Sequence, residues 1–474
     1  MSEPLSEPHR LSDFPDRISP MLVKELRQGL RTNLFTVAFV LLQGFMVLCV
    51  LIGATAPGDN ASSGFFWFFA VVALVVVMPI RGFGALTSEI QQNTMDLMHL
   101  TEMGAWRIVF GKWAAIVAQT LLLVCGILPY LVMRYFFGGI DLFRELIALF
   151  WVLVLSMTLT AVTVGFSAFR SVLLRFTVLG GLVILSMMGM EAAEKALQII
   201  ADPTGATAPR SIVIWTVVSF FFSAVYLSWF MLDLGASRIA PEAENHATRK
   251  RVIALLFGGG ALLLPLAGLD VTACLLLTTV VWSLVCLDAL TERPVMLPSI
   301  YLPFARRWYL RPWTLLVVPG WHSGILFYLF CAGLFTLGAW LLPPVLGTRA
   351  MEVKEWQFLV SGLSIIVFPL LIIHLFIRWP MTTATLFGFY LLIQVCSGVL
   401  ALFLTIMAEE SPVKEVAYLI APIPTTALFA AIANDASPSM TGLAGAFGLA
   451  AVLITLFRAA PYYRDAFRLV RALR

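Results

Sequence analysis

Charge is scarce in this chain. Asp, Glu, Lys and Arg make up 12% of its 474 residues, about half the share usual in soluble domains. Many stretches of 18 or more residues contain none of the four, which excludes an ordinary soluble fold. The apolar/polar alternation of outer-membrane barrel strands is missing too. Cysteine is limited to Cys49, Cys125, Cys274, Cys286, Cys331 and Cys396, all inside apolar runs. None lies in an outer loop, so no external disulfide framework is implied, and the six read as small buried hydrophobes. No C-x-x-C or H-x-x-x-H pairing points to a metal, and D-x-D, H-E-x-x-H and G-x-S-x-G are absent. The opening "MSEPLSEPHRLSDFPDR" lacks the apolar core and small-residue cleavage site of a signal peptide. It reads as a disordered cytosolic tail over 1–17.

A nucleotide site is also lacking. A P-loop needs G-x-x-x-x-G-K-[ST], a glycine-rich turn whose amides hold phosphates. The one candidate, Lys112 in "WRIVFGKW", has Trp106 in place of the first glycine and Trp113 in place of Ser or Thr. The expectation is therefore a non-enzymatic chain with no cofactor and no metal of its own.

What the sequence has is hydrocarbon: 60% of its residues are hydrophobic. In lipid every backbone amide must be satisfied internally, so the apolar runs are helices. The fold class is an all-α polytopic membrane protein with about 12 transmembrane helices. The expected spans are 34–56, 65–86, 108–133, 146–168, 173–190, 211–232, 252–269, 271–289, 315–343, 357–377, 384–407 and 441–458. The run 417–434 carries Pro422 and Pro424 and reads as a broken or re-entrant element.

With the amino end inside, inner segments hold 24 of the 31 Lys and Arg and outer segments seven, while Asp and Glu divide almost evenly. This is the positive-inside pattern. It places both termini in the cytosol and the chain in a cell membrane, the bacterial inner membrane by expectation. The net charge of +4 then belongs to a membrane face, not to nucleic-acid binding. Mid-span charge is almost absent. Lys112, Arg134, Glu145, Asp233, Asp270 and Asp288 fall at span ends, and His322 and His374 read as satisfied or interfacial. Ion-coupled carriers commonly keep ionisable groups in the membrane, so this pattern counts against ion coupling.

Two polar stretches stand out. In "ISPMLVKELRQGLRTN" (18–33), Ser19 and Pro20 form a helix start. Leu22, Val23, Leu26 and Leu30 share one side, and Lys24, Arg27, Gln28 and Arg31 form a separate stripe, as in a helix lying in the interface. The second is "SEIQQNTMDLMHLTEMGAWRIVFGKW" (88–113), an island between the second and third spans. Ile90, Thr94, Leu97, Met98 and Thr101 recur at helical spacing, Gly104 ends the pattern, and Trp106 and Arg107 mark re-entry. Its mixed charge suits a protein surface better than anionic lipid. Periodicity leaves two readings open, a docking helix and a solvated connector.

"SPMLVKELRQGLRTNLF" resembles the amino-terminal elbow of type-2 ABC transporter permeases, the exporter class. "SEIQQNTMDLMHLTEMGAWRIVFGK" resembles that family's segment between spans two and three. Glu89, Thr94, Asp96, Leu97, Thr101, Ile108, Gly111 and Lys112 match in order and spacing; Asn93 replaces a glycine, and Glu102 and Met103 stand where proline is common. The resemblance covers about residues 18–135. It implies an elbow helix carrying Lys24, Glu25, Arg27 and Arg31. It implies a coupling segment (88–107) whose Glu89, Thr94, Asp96, Leu97 and Thr101 contact a separate ATP-binding subunit, with Arg107 and Lys112 as interface anchors. On this reading 18–235 is a six-span permease module, 236–251 a basic cytosolic linker, and 252–474 a second six-span region with a basic tail and no counterpart of elbow or coupling segment. The implied partners are an ATPase subunit that binds the ATP, a second permease chain and the bilayer. A secondary transporter, and an ABC-type complex used for signalling or mechanical work, remain the alternatives.

Overall fold

The structure, a computed structural model, describes residues 20–55, 60–91, 104–137, 141–169, 210–241, 243–269, 271–347, 351–376, 382–410, 423–432 and 438–473. These residues are helical and contain no strand. Eleven helical stretches among them are long and apolar enough to cross a membrane. They correspond to the expected spans except the fifth, 173–190, which lies outside the described residues. The chain divides into two compact units. The first holds the described residues up to Phe169 together with Leu227–Ile239; the second holds 210–226 and the described residues from Ala240 onward.

In the first unit, α1 (Pro20–Leu30) precedes α2 (Asn33–Thr55). It opens on a proline, whose missing amide would have had no helical partner at that position. The second span is composite: α3 (Asn60–Val71), a π-helical segment (Val72–Val77) and α4 (Met78–Gly82), followed by the short α5 (Thr87–Gln91). Within the π segment the Leu74 carbonyl accepts a hydrogen bond from Ser156 Oγ at 2.5 Å, giving an acceptor in the irregular turn a partner inside an apolar setting. Next come α6 (Ala105–Phe137) and α7 (Leu142–Phe166). Gly104 caps α6, its carbonyl accepting from the amides of Arg107 and Ile108, so the third span starts three residues earlier than the hydropathy boundary.

Small and hydroxylic residues fill the interior. On α7, Ser156, Thr160 and Thr163 are buried, each hydroxyl donating to a backbone carbonyl. The helix α8 (Arg210–Ile239) contributes its end to this unit. There Gly165 lets α7 meet α8 backbone to backbone: a Cβ at Gly165 would lie 2.1 Å from the Met231 carbonyl oxygen. Such close packing is how membrane helices gain contact without a hydrophobic driving force. Large side chains such as Val40, Leu51, Phe68 and Phe136 face outward.

The second unit contains α9 (His246–Leu263), α10 (Val271–Thr291), the amphipathic α11 (Pro298–Arg306), the single turn α12 (Thr314–Val317), α13 (Trp321–Val345), α14 (Val353–Phe376), α15 (Thr383–Glu410), α16 (Pro424–Ile432) and α17 (Pro438–Ala472). Of the stretch 417–434, expected to be broken or re-entrant, the structure describes residues 423–432, where α16 runs from Pro424 to Ile432; the rest lies outside the described residues. Within the expected linker, 236–251, residues 236–239 end α8 and residues 246–251 begin α9.

Candidate functional site

Three residues from the two polar stretches meet in one buried cluster of the first unit. Lys112, on the second turn of α6, places Nζ 3.0 Å from Glu25 Oε1 of α1 and 2.8 Å from Glu89 Oε1 of α5. The side chains are 5%, 17% and 11% exposed respectively, so the ions are shielded and their attraction is well above the surface value. The backbone geometry permits the approach. Met21 of α1 sits over Gly111, where a Cβ would come 3.2 Å from Met21 Cγ, and Gly29 faces Gln119, whose Nε2 a Cβ would meet at 2.0 Å.

Further bonds extend the joint. Arg81, at the end of the second span, donates to Gln119 of α6, to the Gly29 carbonyl (3.2 Å) and to Thr32 Oγ1 (3.1 Å). Thr87 Oγ1 donates to the Ser167 carbonyl at 2.6 Å, and the Leu86 amide donates to Ser167 Oγ at 3.2 Å. The elbow, the end of the second span, the start of the third and the end of α7 are thus locked together. The chain leaves this joint after Gln91 and returns to it at Gly104.

Of the other expected site residues, Lys24, Arg27, Arg31 and Arg107 are exposed. Thr94, Asp96, Leu97 and Thr101 lie outside the described residues. Lys112, expected as an interface anchor, is buried and ion-paired.

A second ion group holds the far end of α6. Arg134 is 3.6 Å from Glu145 of α7 and donates to Ser63 Oγ at 2.5 Å, its guanidinium 4.3 Å over the Phe66 ring. Trp67 Nε1 donates to Glu145 Oε2 at 2.9 Å. Lys112 and Arg134 are separated by about 33 Å of helix, close to the thickness of a bilayer core of ~30 Å.

The second unit holds a cluster that sequence reasoning missed. Lys250 of α9 contacts Asp288 and lies 3.1 Å from Glu292 Oε1; Arg251 lies 2.8 Å from Glu292 Oε2. Arg251 also donates to the carbonyls of Leu316, Val318 and Gly320 and to Ser323 Oγ. Both cations are 1% exposed. Gly320 adopts φ +128°, where a Cβ would strike the His322 ring at 2.7 Å and Pro294 Cα at 2.9 Å. Only glycine gives Arg251 this carbonyl. The sequence did carry a signal: Asp288 and Glu292 are one turn apart at the end of α10, opposite adjacent cations at the start of α9. Nearby, Tyr301 of α11 is buried against Val317 and Val318, and burial pushes its phenol up to about 12. It is a neutral packing group. His322 and His374, expected to be satisfied or interfacial, are buried among Trp321, Tyr462 and Tyr463, and His322 Nδ1 has no hydrogen-bond partner there.

These buried ions correct the reading of charge from sequence alone. They do sit toward span ends, but they lie inside the protein as paired groups. Among the described residues no group of three or more His, Cys, Asp or Glu could hold a metal ion. No family model matches the chain, and neither does any curated protein or solved structure.

Proposed function

We propose that this polytopic membrane protein is the membrane-spanning permease subunit of an ABC export complex, driven by a separate ATP-binding subunit that docks on the segment between the second and third spans. The observation that carries the reading is the joint of Glu25, Glu89 and Lys112. A coupling segment must pass an external push to several helices at once. Here the ends of that segment rest on a buried ion cluster shared by the elbow, the second span and the third. The resemblance of both stretches to the type-2 permeases supports the same assignment, and so does the lack of a P-loop in the chain. Two permease chains per complex follow from the one coupling segment per chain and the two ATPase sites of such motors.

The test is affinity purification in mild detergent. A P-loop ATPase should co-purify, and charge reversal at Glu89 and Asp96 should release it while the chain stays inserted. If both variants retain the ATPase and its full activity, the coupling assignment fails.

A second reading, an ion-coupled carrier, would need ionisable groups inside the membrane region, and the buried Lys250, Arg251, Asp288 and Glu292 group is the candidate. Two cations against two carboxylates is a balanced set, which suits a structural lock better than an ion-binding site. Reconstitution of the lone chain separates the two readings, since a carrier moves solute on an ion gradient without nucleotide. An ABC-type complex doing signalling or mechanical work would share the ATPase contact and lack the flux.

A further inference from the structure

The second unit gathers cations and aromatic rings near the start of α13. From Arg293 to Ala350 the sequence holds no Asp or Glu. Within that stretch α11 ends at Arg306, Arg307 is extended, and a 3-10 turn follows at Trp308–Leu310. The turn is mounted on a small core of its own. Ile300, Tyr301, Phe304 and Ala305 of α11 are buried with Val317 and Val318 against Ala466 and Val470 of α17. Outside that core stand Arg306, Arg307, Trp308, Tyr309 and Trp313, all exposed, with Arg311 half-buried among them.

One ring contact sets the depth of this patch. Trp313 meets Phe330 of α13 edge-on, their centroids 5.8 Å apart. Phe330 lies nine residues into α13, about 14 Å along it, beside the exposed Leu329; Leu337 and Leu341 are exposed farther along the same helix. In a polytopic membrane protein such outward leucines meet acyl chains. Trp313, 43% exposed, therefore lies at the edge of the hydrocarbon, where an indole is favoured. Trp308 and Tyr309, 78% and 50% exposed, continue the aromatic rim. The charge beside them has one sign and is unspent. Arg307 donates to Tyr309 Oη and Arg311 Nε to the Ala305 carbonyl, both at 3.3 Å. Among the described residues none of Arg306, Arg307 and Arg311 is paired with a carboxylate. The carboxylates on flanking elements already have cations: Asp465 is 3.6 Å from Arg468, and Glu244 is 3.4 Å from His246. Three guanidiniums at the aromatic rim, free of acids, complement anionic headgroups. A second copy meeting this patch by a twofold axis would set the same cations against each other.

We propose that residues 306–313 form an interfacial site for anionic phospholipid of the surrounding bilayer. Arg306, Arg307 and Arg311 engage the headgroup phosphates, and Trp308, Tyr309 and Trp313 rest between headgroups and chains. The site belongs to the second unit alone and stands whether or not the chain couples to an ATPase.

The experiment reconstitutes the full chain in phosphatidylcholine nanodiscs doped with phosphatidylglycerol, one lipid or the other carrying a photoactivatable headgroup. The phosphatidylglycerol probe should label the wild type within 306–313, and unlabelled phosphatidylglycerol should compete it away. At equal dose the phosphatidylcholine probe should label that stretch about tenfold less. The triple variant Arg306→Gln, Arg307→Gln, Arg311→Gln should lose most of the phosphatidylglycerol label there, yet unfold at the wild-type temperature in pure phosphatidylcholine. Equal labelling by the two probes, or full labelling of the folded triple variant, overturns the proposal. If that variant does not fold, competition on the wild type decides alone: label that unlabelled phosphatidylglycerol fails to reduce overturns the site. A nitroxide on Trp308→Cys, in a background lacking the native cysteines, gives a second readout. It should be less accessible to a water-soluble nickel chelate in the doped nanodiscs than in pure phosphatidylcholine. Unchanged accessibility leaves the patch facing water, as an acidic soluble partner would require, and overturns the proposal.

Discussion

Replacing Lys112 by methionine keeps an unbranched chain of similar length and removes only the charge. The consequence can be worked from the geometry. Two carboxylates at 2.8 and 3.0 Å each gain about 5–6 kcal/mol of gross attraction at an effective dielectric near 20. Most of that offsets desolvation. Removing one partner of a buried pair nonetheless costs about 3–5 kcal/mol, because the other charge is stranded. Here two carboxylates are stranded together, so Lys112→Met should cost at least about 3 kcal/mol. Glu25→Gln alone should cost about 1 kcal/mol or less, since Lys112 keeps Glu89 and an acid–acid repulsion disappears. The triple variant Lys112→Met, Glu25→Gln, Glu89→Gln should recover most of the loss, as neutral replacements of buried ions often do. Unfolding in mixed micelles, followed by tryptophan fluorescence, measures all three. Additive losses in the triple variant, or a loss under about 1 kcal/mol in Lys112→Met, would refute the view that these residues form one interdependent cluster.

The matching experiment in the second unit is Glu292→Gln. It leaves Arg251 and Lys250 with one carboxylate between them, and the same unfolding assay should show a loss of about 3 kcal/mol or more. Gly258→Val should destabilise by at least about 1–3 kcal/mol, because a Cβ there falls 1.9 Å from Trp282 Nε1 and displaces its bond to the Ala254 carbonyl. A shift in thermal unfolding below one degree would contradict that contact. Topology is tested in a background lacking the six native cysteines. Arg107→Cys should react with an impermeant maleimide only in inverted vesicles, and Lys112→Cys should react from neither side.

The span pattern was legible because it is a property of composition. A charge-free run of twenty residues dictates a helix whatever its neighbours do, and eleven helices long and apolar enough to cross a membrane are present among the described residues. The elbow was legible for a related reason: its leucines and arginines separate at helical spacing, and α1 occupies that stretch. The cluster was legible only in its parts. Glu25, Glu89 and Lys112 were each named, for three different roles, because nothing in one dimension shows that residues 87 positions apart touch. The second cluster was hidden by the rule that found the topology. Counting Arg249, Lys250 and Arg251 as one inner-loop signal treats them as equivalent, yet two of the three turn inward once α9 starts at His246. The π segment was beyond reach as well, since "VALVVV" is as good an α-helical membrane run as any other.

The buried pairs also explain a feature of the charge distribution that the topology rule leaves open. With the amino end taken as inside, as the positive-inside pattern proposes, inner segments hold most of the cations, yet acids divide almost evenly between the two sides. If the inner acids merely diluted the positive face, they would oppose the bias that orients the chain. The structure gives four of them another task. Glu25, Glu89, Asp288 and Glu292 are spent on Lys112, Lys250 and Arg251 inside the protein. Other cations, among them Arg27, Arg31 and Arg107, are exposed. Two populations of positive charge therefore coexist at the same span ends. One set is exposed, and the other ties helix to helix inside the protein.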